Sequence, residues 1–284
     1  MAPPFLENED DMISLQNKMI AFIGAGNMGE ALIRGLLSAK TVSPSQIIAT
    51  DVRAEQREFL AKKFRVRALD DNAEAVKAAD IVVLAVKPQQ MGEVLAGFKT
   101  VMSPSKLVVS IAAGVTAGRI ERELGGKVRV VRVMPNTPAL VGAGAAALAK
   151  GAHATDDDLA AVESIFCAVG ISARVEEKLL DVVTAVSGSG PAYVFYVTEA
   201  MIKAGVAAGL DESLAKKLAV QTVYGAGKLL MESGEEPASL RRKVTSPGGT
   251  TEAALKVMSE RKLEEIFAEA IKAAEKRSRE LSGS

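Results

Sequence analysis

Between residues 19 and 175, short apolar runs alternate with stretches of helical period. The runs fall at 19–23 (Met-Ile-Ala-Phe-Ile), 47–50, 81–86, 107–111 and 128–133. Runs of four to six residues dominated by Ile, Val and Leu predict strands covered on both faces. The intervening periodicity predicts helices over 28–38 and 53–64. Strands that alternate with helices imply right-handed crossovers and a doubly wound, mainly parallel sheet. Two further short strands fit 143–149 and 171–175, with a helix over 156–169 between them.

After residue 175 the pattern changes. Only helical periodicity remains, over 177–186, 191–208, 211–233, 236–244, 250–259 and 263–281, with Gly209 and Gly234 as helix stops. The chain therefore divides into a loosely ordered extension at 1–17, an α/β domain at 18–175 and an all-α domain at 176–284. A length of 284 residues suits two domains. Apolar residues in Leu214-Ala-Lys-Lys-Leu-Ala-Val-Gln-Thr-Val223 occupy more than one helix face. An ordinary core and a subunit interface both account for that.

Composition removes several classes of function. Lys+Arg and Asp+Glu are 35 each, so no net field attracts nucleic acid or an anionic membrane. Aromatics make up 4% and Trp is absent, which disfavours base stacking. No run is long and apolar enough to span a bilayer. The acidic first residues lack the basic leader and apolar run of a secretory signal. One cysteine, Cys167, lies in an apolar helical stretch and reads as a small buried hydrophobe. These features suit a reducing, cytoplasmic setting. Asp156-Asp-Asp158 reads as helix-start acids, not as a metal cluster, because no His or Cys partner is suitably spaced. The lone histidine, His153, lies in a polar stretch and reads as a surface residue. No metal site is expected.

Gly24-Ala-Gly-Asn-Met-Gly29 matches G-x-G-x-x-G, directly after a strand and at the start of a helix. Gly24 permits the tight turn, Gly26 lets backbone approach a pyrophosphate, and Gly29 permits close helix–sheet packing. The helix start adds free N–H groups and a positive dipole end. Asp51, about 20 residues on, suits ribose hydroxyls and repels a 2′-phosphate. Arg53 reverses that preference if it pairs with the phosphate, so the choice between NADPH and NADH stays open. Lys87-Pro88 and Ala112-Ala113-Gly114 end successive strands, where ligands gather in such sheets.

Thr245-Ser-Pro-Gly-Gly-Thr-Thr-Glu252 places glycines, hydroxyls and a helix start together. That arrangement suits a small carboxylate. Taken alone, a plain Ser/Thr cap with Glu252 in the first turn is the simpler account. Ser187-Gly-Ser-Gly-Pro191 is a similar cap, where close packing explains the glycines equally well.

Six segments together resemble the Δ1-pyrroline-5-carboxylate reductase family. They are Phe22-Ile-Gly-Ala-Gly-Asn-Met-Gly29, Ala85-Val-Lys-Pro88, Ser110-Ile-Ala-Ala-Gly-Val-Thr116, Met134-Pro-Asn-Thr-Pro138, Val186-Ser-Gly-Ser-Gly-Pro-Ala-Tyr193 and Thr245-Ser-Pro-Gly-Gly-Thr-Thr251. The resemblance spans Lys18 to the C-terminus. It implies a Rossmann domain followed by a helical dimerisation domain of the 6-phosphogluconate-dehydrogenase-like kind, in homodimers assembled into decamers. It implies reduction of the ring imine of 1-pyrroline-5-carboxylate to L-proline with NADPH or NADH, the last step of proline biosynthesis. Under the same resemblance, the Thr251 hydroxyl meets the substrate ring nitrogen. Ser246, Gly248, Gly249 and Thr250 form the carboxylate-binding turn, and Glu177 is a further pocket position. Asn72, Ala85, Val86, Lys87, Pro88, Ile111, Ala112 and Ala113 join Gly24, Ala25, Gly26, Asn27, Met28, Gly29, Asp51 and Arg53 as cofactor contacts. Asp51 departs from the small hydroxyl residue often found there in NADPH-preferring members.

Two other readings compete. A β-hydroxyacid dehydrogenase of the same architecture carries a catalytic lysine with an asparagine one turn on, and Pro191-Ala-Tyr-Val-Phe-Tyr-Val-Thr198 has neither. A dinucleotide sensor without activity has no use for a second anion pocket.

Overall fold

The computed structural model describes residues 15–282. It holds two compact units. Among the described residues, one comprises 15–188 together with 275–282, and the other comprises 189–274.

The α/β unit is built on one eight-stranded sheet. Its strands are β1 (Ile20–Ile23), β2 (Ile47–Thr50), β3 (Arg67–Leu69), β4 (Ile81–Leu84), β5 (Leu107–Ser110), β6 (Arg129–Met134), β7 (Gly144–Lys150) and β8 (Gly170–Arg174). They lie in the order β3-β2-β1-β4-β5-β6-β7-β8. Every pairing is parallel except β6 with β7. The order reverses between β1 and β4, which opens a crevice at their carboxyl ends.

Burial explains why these runs become strands. β1, β2, β4 and β5 are buried along their whole length. Alternate side chains feed opposite faces of the sheet. Ile20 and Phe22 enter one core with Leu32, Leu36, Ile165 and Phe166. Ala21 and Ile23 enter the other with Val76, Leu95, Phe98 and Ile120. The first core lies under α1 (Asn27–Ser38), α2 (Ala54–Phe64) and, further on, a helix at Asp156–Phe166. The second lies under α3 (Asn72–Ala78), α4 (Met91–Phe98) and α5 (Ala117–Leu124).

The helix at Asp156–Phe166, α6, starts with a capping box in which Thr155 and Asp158 serve each other. Its three acids stand in the first turn, as the sequence suggested. His153 is exposed. Cys167 is only half-buried, with Sγ 3.3 Å from the Ser172 hydroxyl.

Four expectations change. β3, a three-residue edge strand with no fully buried position, leaves too little apolar signal to be read from sequence. Residues 177–186 do not form one helix. They make a 3-10 turn, then α7 (Leu180–Val183), then a widened π turn at Thr184–Gly188. Most of the proposed extension at 1–17 lies outside the described residues, but Leu15 is buried in the first core and its carbonyl accepts from Gln46 Nε2 at 2.8 Å. Gly114, expected to make room for a ligand, instead makes room for Leu281: a Cβ there would stand 3.1 Å from the Leu281 carbonyl.

The helical unit contains α8 (Gly190–Ala207), α9 (Glu212–Ser233), α10 (Pro237–Lys243), α11 (Thr250–Glu260) and most of α12 (Leu263–Ser282). The last residues of α12 belong to the α/β unit, where the Ser278 hydroxyl donates to buried Asp181 at 2.6 Å. No residue of α8 is buried, and only Ala215 and Ala219 are buried in α9.

Candidate functional site

The glycine-rich loop shows a separate reason for each of its glycines. Gly24 has φ +85°, and a Cβ there would meet Val86 Cγ1 at 2.8 Å and the Ala85 carbonyl at 3.0 Å. A Cβ on Gly29 would lie 2.7 Å from the Gly24 carbonyl oxygen. A Cβ on Gly26 would meet nothing within 4 Å. Gly24 and Gly29 are therefore required by the protein's own packing, whereas the space beside Gly26 is open.

That space opens on the N-terminus of α1. The first helical bond there runs from the Glu30 N–H to the Gly26 carbonyl at 2.8 Å, so the N–H groups of Asn27, Met28 and Gly29 have no intrahelical acceptor. Free donors, a positive dipole end and an unfilled cradle fit a pyrophosphate. Ala25 is held from behind, its carbonyl accepting from Gln56 Nε2 at 2.8 Å. The sequence reading missed Gln56, because nothing in a helical glutamine signals a partner 31 residues away.

Asp51 follows β2 directly. Its carboxylate accepts from Arg53 N–H and Arg53 Nε, each at 3.0 Å, and from Arg53 Nη2 at 3.2 Å. The Asp51 side chain is 8% exposed and that of Arg53 58%. Burial pushes the Asp51 carboxyl up, but the Arg53 guanidinium and N–H, with the Ala25 N–H, outweigh it and hold the group below the ordinary value. The two charges already offset each other. A 2′-phosphate would have to draw Arg53 away from Asp51.

Asn72, at the first turn of α3, takes the Thr50 hydroxyl proton on Oδ1 at 2.6 Å. Ala85 and Val86 lie against Gly24, Lys87 is exposed and Pro88 half-buried. Ala112 is buried, with Ile111 and Ala113 half-buried beside it. The proposed cofactor residues thus gather around the carboxyl ends of β1, β2, β4 and β5.

Glu177 also lies in the α/β unit, and its Oε1 is engaged there. It accepts from the Ala117 N–H at the start of α5 at 2.7 Å and pairs with buried Arg132 at 3.4 Å. That bonding describes a brace between β6 and α5. Ser187-Gly-Ser-Gly-Pro191 also looks internal at one glycine, since a Cβ on Gly188 would meet Met134 Cε at 2.5 Å.

In the helical unit, Gly249 caps α11 and Gly248 has φ +72°. The turn uses two of its own donors. The Gly248 N–H goes to Glu252 Oε2 at 2.8 Å and the Gly249 N–H to the Ser246 carbonyl at 2.9 Å. The resemblance places the carboxylate-binding turn around these glycines, whose own N–H groups are used within the turn. The first helical bond of α11 is Ala253 N–H to Gly249 carbonyl. The N–H groups of Thr250, Thr251 and Glu252 are therefore the donors without an intrahelical acceptor. An open recess of about 630 Å³ borders the turn, lined by Thr245, Gly248, Gly249, Glu252, Ala253 and Lys256 among others.

Similarity to known proteins follows the same division. The family model described as pyrroline-5-carboxylate reductase dimerisation matches residues 177–281. One described as NADP oxidoreductase, coenzyme F420-dependent, matches residues 19–114. The pyrroline-5-carboxylate reductase of Methanosarcina acetivorans is 45% identical over 94% of this chain and 99% of its own. The chain belongs to the pyrroline-5-carboxylate reductase family. Solved family structures agree. That from Coxiella burnetii is 40% identical with a TM-score of 0.90, covering 94% of this chain and 99% of its own. The Plasmodium falciparum enzyme, solved with NADP bound, is 33% identical with a TM-score of 0.82 over the same shares. No helix among the described residues is long and apolar enough to cross a membrane.

Proposed function

We infer that this chain is an NAD(P)H-dependent oxidoreductase that reduces the ring C=N bond of 1-pyrroline-5-carboxylate to L-proline, closing proline biosynthesis. The observation that carries the reading is 45% identity over nearly the whole of a pyrroline-5-carboxylate reductase. The start of α1 supports it independently, because three N–H groups without an intrahelical acceptor lie beside the open position at Gly26.

Bound NAD(P)H supplies the hydride. The chain supplies position. The first-turn N–H groups of α1 hold the pyrophosphate, and Asp51 and Arg53 meet the adenosine ribose. The N–H groups of Thr250 and Thr251, with the Ser246 hydroxyl, hold the substrate carboxylate. Gly248 and Gly249 shape that turn. The Thr251 hydroxyl meets the ring nitrogen, which gains the C=N electron pair as the imine carbon is reduced. A protonated imine is already electrophilic, so the residues need not include a general base of the kind an alcohol dehydrogenase uses. Glu177 acts within the α/β unit as a brace between α5 and β6.

The helical unit makes the chain a homodimer, and the family resemblance extends this to a decamer in the cytoplasm. Exposed Phe195 and Tyr196 on α8 and Tyr224 on α9 support an apolar interface. The deciding experiment follows NADPH and NADH oxidation on adding 1-pyrroline-5-carboxylate, and NADP+ and NAD+ reduction on adding members of a β-hydroxyacid panel. Turnover of the imine alone is expected. Turnover of a β-hydroxyacid, or of nothing, overturns the reading.

A further inference from the structure

Thr50 ends β2 and is buried, yet it carries a hydroxyl in an otherwise apolar strand. Its main chain and side chain serve different elements. The Thr50 carbonyl accepts from the Gly24 N–H at 3.1 Å, anchoring the start of the phosphate loop. The hydroxyl lies 2.6 Å from Asn72 Oδ1 and 3.4 Å from the Phe22 carbonyl. A hydroxyl has one proton. The shorter contact falls in the O–H···O range, while 3.4 Å lies beyond it. The proton therefore goes to Asn72, and the amide turns its oxygen inward.

Asn72 has little other freedom. The preceding Asp71 caps α3, its Oδ1 accepting from the Ala73 N–H at 2.7 Å, which fixes the Asn72 backbone. What remains is the direction of the amide, and Thr50 sets it. With Oδ1 taken by Thr50, the two Nδ2 protons are what the amide has left to offer.

We propose that Thr50 is a positioning residue for the dinucleotide. Its buried hydroxyl fixes the Asn72 amide so that a donor, not an acceptor, is presented to an oxygen of NAD(P)H. The proposal rests on the reading above that Asn72 contacts the cofactor. It also divides the labour at the end of β2: Asp51 presents an acceptor there, and Thr50 ensures that the neighbouring amide presents a donor.

The test measures Kd for NADPH and NADH, by titration of the full-length protein, for Thr50→Val, Thr50→Ser, Asn72→Ala and the Thr50→Val/Asn72→Ala double variant. The melting temperature and the KM for 1-pyrroline-5-carboxylate are followed alongside. Loss of one oriented hydrogen bond should weaken cofactor binding by roughly 3- to 10-fold in Thr50→Val. Thr50→Ser, which keeps the hydroxyl, should bind like wild type. The double variant should bind no more weakly than Asn72→Ala alone, because Thr50 acts only through Asn72. The KM for the imine should stay within about twofold in Thr50→Val, since a change of that size matches an energy near RT ln 2.

Additive losses, or a serine variant as weak as valine, would reduce Thr50 to a packing role and overturn the proposal. An Asn72→Ala variant that binds both cofactors like wild type would overturn it differently, by removing Asn72 from the cofactor site. Wild-type turnover of the imine would still stand in either case, so failure here is distinct from failure of the reductase assignment.

Discussion

Gly26→Ala should leave the fold intact and cripple cofactor binding. Gly26 has φ −68° and ψ −164°, an extended conformation that alanine adopts without strain. The added methyl would meet no atom within 4 Å. Restricting the unfolded chain at a compatible site stabilises by about 0.4–1 kcal/mol, so the melting temperature should hold or rise by about 1–4 °C. The methyl would, however, stand where the proposed site brings a pyrophosphate to the N–H groups of α1. Each charge-assisted hydrogen bond lost there costs about 1.5–3 kcal/mol. At 1.36 kcal/mol per factor of ten, one such loss raises the KM for NAD(P)H by roughly 10- to 100-fold.

Gly24→Ala and Gly29→Ala should do the reverse. Alanine at φ +85° costs about 1–2 kcal/mol. The 2.8 Å approach to Val86 adds about 1–3 kcal/mol of overpacking. Together these lower the melting temperature by about 5–15 °C. The Gly24 carbonyl, 2.7 Å from a Cβ on Gly29, is backbone and yields poorly. Thermal melts of the three variants, with KM for both cofactors on each folded protein, separate the cases. The reasoning fails if Gly26→Ala melts as far below wild type as Gly24→Ala. It fails equally if folded Gly26→Ala binds cofactor normally.

Asp51→Ser should release Arg53 from its ion pair and shift the kcat/KM ratio toward NADPH; an unchanged ratio would remove Asp51 from the ribose. The Asp51 carboxyl sits below its ordinary value of 3.8, so its contribution to stability is complete above that pH and fades as pH falls through the lowered value. Acid melts of Asp51→Asn should accordingly fall less steeply below about pH 4 than those of wild type. Thr251→Ala should lower kcat/KM for the imine by roughly 10- to 100-fold, with Thr251→Ser retaining much more and cofactor KM unchanged. Tyr196, 72% exposed on α8, should tolerate lysine in a lone chain but not in an apolar interface; sedimentation of Tyr196→Lys should show a smaller species than wild type at micromolar concentration.

What could be read from the sequence depended on whether the signal was local. Buried strands such as Ile20–Ile23 and Ile47–Thr50 announce themselves, because both faces are covered and all positions but Thr50 are apolar. Arg67–Leu69 does not, because an edge strand with polar surroundings carries no such run. Motif spacing located the loop Gly24–Gly29 and the turn Ser246–Thr251, since backbone conformation there is set by neighbours in sequence. Side-chain partners across the sheet were invisible: Gln56 on the Ala25 carbonyl, Thr50 on Asn72, Glu177 on Ala117 and Arg132.

The turn at Gly248 shows the sharper limit. Its composition told us that N–H donors would gather there, but composition counts donors without saying which the fold consumes. Glu252, one turn into α11, reaches back to the Gly248 N–H, and the Ser246 carbonyl takes that of Gly249. A glycine at φ +72° is held in place by those two bonds, and the next three N–H groups are left without an intrahelical acceptor. On binding the proposed carboxylate, a flexible loop with five equivalent donors would lose more conformational entropy than a turn fixed by its own hydrogen bonds. If the turn takes a carboxylate as proposed, the two donors it uses on its own shape are what hold so short a segment in place.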